Sequence, residues 1–147
     1  MPPTTDPIDP ADILARTLWG EDRRGRELVA NVIMNRVNAD LGHDGKPDWW
    51  GEGVIGVCLK PFQLSCWLPG DPNRDKIRAV TTDDPIFVQC LEIAQAAIAG
   101  NLPDYSDGST HYLNAKTTMQ LQGKLPPWGG PKNWRLTHGH HDFYRVI

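Results

Sequence analysis

Cysteine, clustered positive charge and long apolar runs are all scarce in this chain. Its three cysteines cannot all pair with one another, so a disulfide-built scaffold is excluded and three structural thiols in a reduced, cytoplasmic protein are expected. The net charge is −3 and the basic residues are scattered, which argues against a nucleic-acid-binding protein. No apolar run approaches the roughly 20 residues of a membrane-spanning helix, so we expect no membrane insertion.

The first ten residues are rich in proline and acid and lack the apolar centre of a secretory signal. We therefore expect residues 1–8 to form a flexible leader that does not direct export. The chain length of 147 residues suits one domain with its own core. We expect that domain to span residues 9–147 and to be monomeric.

Apolar spacing and capping residues predict three helices. The first begins at Asp9 and Pro10 and ends at Gly20, the second covers residues 26–38, and the third begins at Asp84 and stops at Gly100. Residues 54–59 fit either a short strand or a buried irregular segment, and loops and short strands should follow Gly100. The predicted fold class is α+β, predominantly helical, with a small sheet and long loops.

Glu21 stands where the first helical segment breaks, beside Leu18 and Trp19. A carboxylic acid held against an apolar wall at a helix end keeps its proton more readily and can donate it near neutral pH. We interpret Glu21 as a candidate general acid for cutting a glycosidic bond, although most glutamates are solvated surface groups.

Hydrolysis of a glycosidic bond normally needs a second carboxylate, about 5–9.5 Å from the acid. Asp22, Glu27 and Asp71 are the candidates, and the sequence alone places none of them. Asp22 adjoins Glu21, but neighbouring side chains do not converge on one point. A mechanism that needs one carboxyl group therefore suits this chain better.

Two further segments carry groups that often bind sugars. In residues 62–67, Gln63 and Ser65 would share one face of an extended chain and Trp67 could stack on a sugar ring, or Trp67 could lie in the core. In residues 110–114, His111 and Leu113 would face one way and Tyr112 and Asn114 the other. Either of these pairs could line a cleft, or Tyr112 could anchor the loop.

The string His138-Gly139-His140-His141-Asp142 is the most metal-like in the chain. A hydrolytic zinc site needs three ligands that converge and an open position, whereas successive side chains in a short segment point apart. We expect no metal and no cofactor, and keep a zinc-dependent amidase or peptidase that also uses His111 as an alternative.

Six segments together resemble the cell-wall hydrolases similar to the spore-cortex-lytic enzyme, a group that includes phage and prophage lysins. In family order, they are residues 14–21, 32–37, 57–67, 71–74, 111–112 and 139–144. The resemblance implies a lysozyme-like fold, peptidoglycan as the substrate, and a match between Glu21 and the family's catalytic glutamate. One departure is Asp22, where relatives usually carry alanine.

The resulting hypothesis is a lytic transglycosylase of the muramidase type that uses Glu21 as general acid and base on peptidoglycan glycan strands. We expect a phage-type protein that accumulates in the cytoplasm and depends on a holin for release. Asn35 and Arg36 should be structural. The predicted substrate-binding residues are Gln63, Ser65, Trp67, His111, Tyr112, Asn114 and His141.

Two other functions remain open beside the zinc enzyme. One is a hydrolytic lysozyme-type muramidase, if Asp22 or Asp71 lies across the cleft from Glu21. The other is a non-catalytic glycan-binding module, because several loop tryptophans around one cleft would make a surface on which sugars stack.

Overall fold

A computed structural model describes residues 9–21, 25–39, 43, 45, 50–60, 67 and 70–146. The predicted α+β class is confirmed, since helices surround a small antiparallel sheet. In chain order the elements are α1 (Pro10–Gly20), α2 (Arg26–Asn38), α3 (Gly53–Leu59), α4 (Arg74–Ala79), α5 (Pro85–Ile98), β1 (His111–Leu113), α6 (Ala115–Gln122), β2 (Trp134–His138) and β3 (His141–Tyr144). None of the helices in these ranges is long and apolar enough to cross a membrane.

Helix α1 is the centre of the fold. It begins as the sequence predicts, with the Asp9 side chain accepting a hydrogen bond from the Ala11 backbone N–H at 3.0 Å and with Pro10 in the first turn. Every residue from Asp12 to Leu18 is buried, which few helices achieve, because most keep one face in water. Helices α3, α4 and α5 all pack against α1 and cover it.

Burial of α1 includes a charged pair. The Arg16 Nε atom lies 2.9 Å from Asp12 Oδ2, and its Nη1 atom donates to the carbonyl oxygens of Ile77 at 2.6 Å and Val80 at 2.9 Å. The guanidinium also lies over the Phe87 ring, 5.0 Å from its centroid. One buried cation therefore ties α1 to the end of α4 and to α5.

Helix α2 joins the helical core to the sheet. Val29 and Ile33 belong to the main core, whereas Leu28 and Val32 pack with Phe143 of β3 in a second, smaller cluster. The apolar residues that predicted a helix over residues 26–38 therefore form two faces, one packed on the helical core and one on the sheet.

The sheet has the order β1-β3-β2, with both pairs antiparallel. Residues opposite one another across such pairs share a face, and successive residues alternate. The face that packs on α2, here called the helix face, carries Tyr112, Leu136, His138, His141 and Phe143. The opposite face carries His111, Leu113, Thr137, Asp142 and Tyr144.

Three helices differ from the sequence prediction. Residues 54–59 are helical in α3, although their β-branched residues left the choice between a strand and an irregular segment open, and α4 and α6 were not predicted. Helix α6 buries none of its residues, so it has no apolar stripe to reveal it. Ile98 lies in the last turn of α5 and is 38% exposed.

We expect Arg16→Met to lower the free energy of unfolding by about 3–5 kcal/mol, because Asp12 would be left buried without its cation. The measurement is urea unfolding followed by circular dichroism. Arg78→Met is the matched control: its side chain is exposed, and only its backbone carbonyl contacts Arg16. If Arg16→Met loses no more free energy of unfolding than Arg78→Met, the buried pair does not stabilise the packing of α4 on α1.

Candidate active site at the end of the central helix

Glu21 lies where α1 leaves the core. Its backbone N–H closes the last turn by donating to the Thr17 carbonyl at 3.0 Å, and its own ψ of −105° turns the chain out of the helix. The residue is half-buried, and its carboxyl oxygen Oε1 is shielded from solvent. The predicted acid is therefore at the end of a helix and partly withdrawn from water.

The wall behind Glu21 is formed one turn earlier on α1 by Thr17. The Thr17 hydroxyl donates to the Ile13 carbonyl at 2.8 Å and accepts a hydrogen bond from the Trp67 indole N–H at 2.8 Å. The same hydroxyl is hydrogen-bonded with the thiol of Cys58, which is fully buried. Thr17 thus fixes Trp67 and Cys58 beside the helix end that presents Glu21.

Cys58 reports on the electrostatics of this wall. Burial raises the pKa of its thiol to about 12, and the negative charge of Glu21 adds to the rise, while the contact with Thr17 opposes it. Cys58 therefore stays protonated, which fits the predicted structural thiol. Cys90 is also a buried free thiol, whereas Cys66 lies outside the described residues.

Trp67 is the only one of the three groups predicted in residues 62–67 that the structure describes; Gln63 and Ser65 lie outside the described residues. Trp67 is half-buried and packs against the main core, with its indole N–H directed to Thr17. The sequence left open whether Trp67 lies in the core or at a cleft. Its position fits both interpretations, because the buried part of the side chain packs on the core and the rest is exposed.

Tyr112 and His141 come together on the helix face of the sheet. Their rings meet edge to face with centroids 5.5 Å apart, and Tyr112 also stacks on Phe143 at 5.5 Å. Both residues are half-buried. Two of the predicted substrate-binding residues are therefore neighbours, on strands that the sequence did not pair.

His111 lies on the opposite face of the sheet and is only 7% exposed. Its ring is held between Trp50 at 6.0 Å and Trp128 at 4.7 Å, and its Nδ1 atom lies 2.9 Å from the Thr110 hydroxyl. Burial lowers the pKa of His111 to about 4, and the nearby charge of Arg36 lowers it further. The structure therefore gives His111 a packing role between two tryptophans, and its contact with substrate stays a prediction.

Asn114 has a structural task that the sequence prediction missed. Its side-chain oxygen accepts a hydrogen bond from the Thr117 backbone N–H at 3.1 Å and so caps α6. The segment Asn114-Ala115-Lys116-Thr117 could have suggested this cap. The side-chain NH₂ group of Asn114 takes no part in this cap and is the group that could donate to a substrate.

Asn35 and Arg36 are structural, as predicted. The Asn35 amide donates to the Ser109 carbonyl at 2.9 Å, and Arg36 Nε donates to the Thr110 carbonyl at 2.6 Å. Both bonds tie α2 to the segment that leads into β1. Burial lowers the pKa of Arg36 to about 10, which leaves it charged at neutral pH.

The histidine string does not form a metal centre in the part of the chain that the structure describes, where no three His, Cys, Asp or Glu residues are placed to hold an ion. His138 and His141 are paired across the β2–β3 hairpin, while the Asp142 carboxylate accepts from Thr137 on the other face. Alternation along the strands thus separates the residues on which the zinc alternative depends.

A cavity that the sequence did not predict lies beside the start of α2. It has a volume of about 420 Å³. Its lining residues are far apart in the chain, so no local motif marks it. They are Gly25, Glu27, Leu28, Tyr105, Leu136 and His138.

A comparison with protein-family models matches residues 20–144 to the family described as Cell Wall Hydrolase. The match covers most of the chain, including Glu21 and the whole sheet, so the chain belongs to this family of enzymes that act on peptidoglycan. Searches of curated proteins and of solved structures found no match.

We expect the free energy of unfolding to fall as the pH drops from 7 to 5, partly through His111. In this window the unfolded histidine, with an ordinary pKa of about 6.5, binds a proton that the folded one refuses. His111→Phe keeps an aromatic ring there but cannot titrate, so its urea midpoint should fall less between the two pH values. The exposed-site control, His140→Gln, should behave like the parent. If the urea midpoints of the parent and of His111→Phe fall equally between pH 7 and pH 5, His111 is not a cause of the loss of stability.

Proposed function

We propose that the chain is a lytic transglycosylase that cleaves the bond between N-acetylmuramic acid and N-acetylglucosamine, with Glu21 as its acid and base. The observation that carries the proposal is the place of Glu21 at the end of a helix that is buried from Asp12 to Leu18, within a chain of the Cell Wall Hydrolase family. The likeness to spore-cortex-lytic enzymes and phage lysins is part of the same proposal.

A protonated carboxyl at this position is supported by three features. Oε1 is shielded from water, and desolvation favours the neutral acid. The C-terminal end of α1 carries partial negative charge, which disfavours a second negative charge beside it. The wall behind the carboxyl group is formed by Thr17 and Cys58, two buried side chains that carry no charge.

In the proposed reaction, Glu21 donates its proton to the glycosidic oxygen as positive charge develops at C1 of the muramic acid ring. The bond to N-acetylglucosamine breaks, and this sugar leaves with the proton on its oxygen. The resulting carboxylate then takes the proton of the 6-hydroxyl group, whose oxygen bonds to C1. The product is a 1,6-anhydro ring, and Glu21 is protonated again.

This route uses one carboxyl group. It therefore suits a chain in which little supports any of the three candidates for a second catalytic carboxylate. Asp71 directs its Oδ1 atom to the backbone N–H of Asn73 at 2.8 Å, which is the ordinary role of an aspartate in a turn. Asp22 lies outside the described residues. Glu27 lines the cavity beside α2. Hydrolysis by a lysozyme-type muramidase is the second candidate, which would require one of these groups to activate water.

The proposal predicts that purified peptidoglycan releases anhydromuropeptides with the parent protein. Glu21→Gln should reduce the release rate by about 10²–10⁴-fold, because the amide cannot donate or accept the proton. Mass spectrometry of the soluble fragments measures both outcomes. Glu92→Gln, a change of the same kind on the exposed side of α5, should leave the rate unchanged.

Other results would assign the activity differently. Fragments with reducing sugar ends would favour the hydrolytic muramidase. Release of free peptides from intact glycan strands would favour the zinc enzyme, provided that a chelator stops the release. Full activity in a correctly folded Glu21→Gln variant would contradict the proposal.

A further inference from the structure

The cavity beside α2 is open to solvent on one side and is lined by three separate elements. The N-terminal turn of α2 contributes Gly25, Glu27 and Leu28, the turn before β1 contributes Tyr105, and β2 contributes Leu136 and His138. Its volume of about 420 Å³ lies within the range of small-molecule sites. The structure therefore contains a ready-made recess that the Glu21 chemistry does not itself use.

The lining has an apolar floor and a polar rim. Leu28 is buried and Leu136 half-buried, and both belong to the cluster between α2 and the sheet. Tyr105 is 57% exposed, so a face of its ring is open to a ligand. The Glu27 carboxylate and the His138 imidazole add hydrogen-bonding groups on exposed side chains.

This combination suits an N-acetylated sugar. The acetyl methyl group can rest on the two leucines, the C–H face of the ring can stack on Tyr105, and the hydroxyl groups can donate to Glu27. A few polar groups that fix orientation over an apolar lining are typical of small-ligand sites. A peptide ammonium could also pair with Glu27, but it would leave the leucine floor unused.

The cavity lies on the same face of the sheet as two of the predicted substrate-binding residues, Tyr112 and His141. Leu136 and His138 lie on the helix face of the sheet, and His138 is the cross-strand partner of His141, whose ring contacts Tyr112. Gly25 also follows Glu21 by four residues, and four residues span at most about 14 Å. The cavity therefore lies within a few sugar units of the proposed acid.

We propose that this cavity is a distal subsite that binds an N-acetylated sugar of the same glycan strand that Glu21 cleaves. The inference rests on the proposed function for its substrate class. Tyr105 supplies the stacking surface, and the two leucines receive the acetyl group. The subsite would hold the strand in register while the bond is cut at Glu21.

The test is a titration of the full-length protein with N,N′-diacetylchitobiose, followed by amide chemical shifts in NMR. This sugar contains no muramic acid, so binding is measured without turnover. We expect shifts at Tyr105, Leu136 and His138. Tyr105→Ala should weaken binding about five- to tenfold, as expected for loss of a central aromatic contact. Tyr105→Phe should bind as the parent does.

The matched control is Trp134→Ala, which removes an aromatic ring of β2 that is 46% exposed and lies outside the cavity lining. It should leave the affinity unchanged. Equal affinity in the parent and Tyr105→Ala would overturn the proposal. So would cavity shifts that appear only with a wall peptide, or only as the protein concentration rises.

Failure of the subsite can be told apart from failure of the proposed function. If Glu21→Gln abolishes glycan cleavage but chitobiose shifts no cavity residue, only the subsite is wrong. If chitobiose binds at Tyr105 but Glu21→Gln keeps full activity, the cavity binds sugar and the proposed chemistry at Glu21 is wrong.

Discussion

The burial of α1 on all sides from Asp12 to Leu18 is the constraint on which the rest of the structure depends. A helix without a wet face has to be covered on every side, and the chain achieves this with α3, α4 and α5. Arg16 shows this most clearly, because its buried cation pairs with Asp12 and donates to carbonyl groups at the end of α4. The end of such a helix is also the point at which a side chain can leave the core for the surface while remaining partly dry.

The sheet is positioned by α2 rather than by α1. Asn35 and Arg36 hold the segment before β1 through its backbone carbonyl groups, and Leu28 and Val32 pack on Phe143. These contacts determine which side of the sheet faces the helices. Tyr112 and His141 lie on that side, while His111 is buried between tryptophans on the other. The alternation of side chains along β1 thus separates the half-buried Tyr112 from the buried His111.

The part of the fold that the sequence predicted is the part with local signals. An aspartate followed by proline predicts the start of α1 and of α5, and the apolar spacing predicts α2. Helix α3 is short and β-branched, and α6 buries nothing, so tertiary contacts and not local pattern decide them.

The candidate site likewise has a part with local sequence signals and a part that depends on tertiary contacts. The position of Glu21 at the end of α1 could be predicted because a helix break beside apolar residues is local information. The pairing of Tyr112 with His141 and the cavity between Glu27, Tyr105 and Leu136 join residues distant in the chain, so only the fold reveals them. The burial of His111 between two tryptophans is likewise visible only in the fold, because a buried histidine and a ligand-binding one have the same sequence pattern.

The central claim is that one carboxyl group performs both steps, with the 6-hydroxyl group of the sugar in place of water. Digestion of peptidoglycan in oxygen-18-labelled water tests this claim most directly. The account predicts that the newly formed muramic acid ends contain no heavy oxygen, since their 1,6-anhydro bond comes from the sugar itself. Incorporation of one labelled oxygen at each new end would contradict it and would mean that a second group activates water beside Glu21.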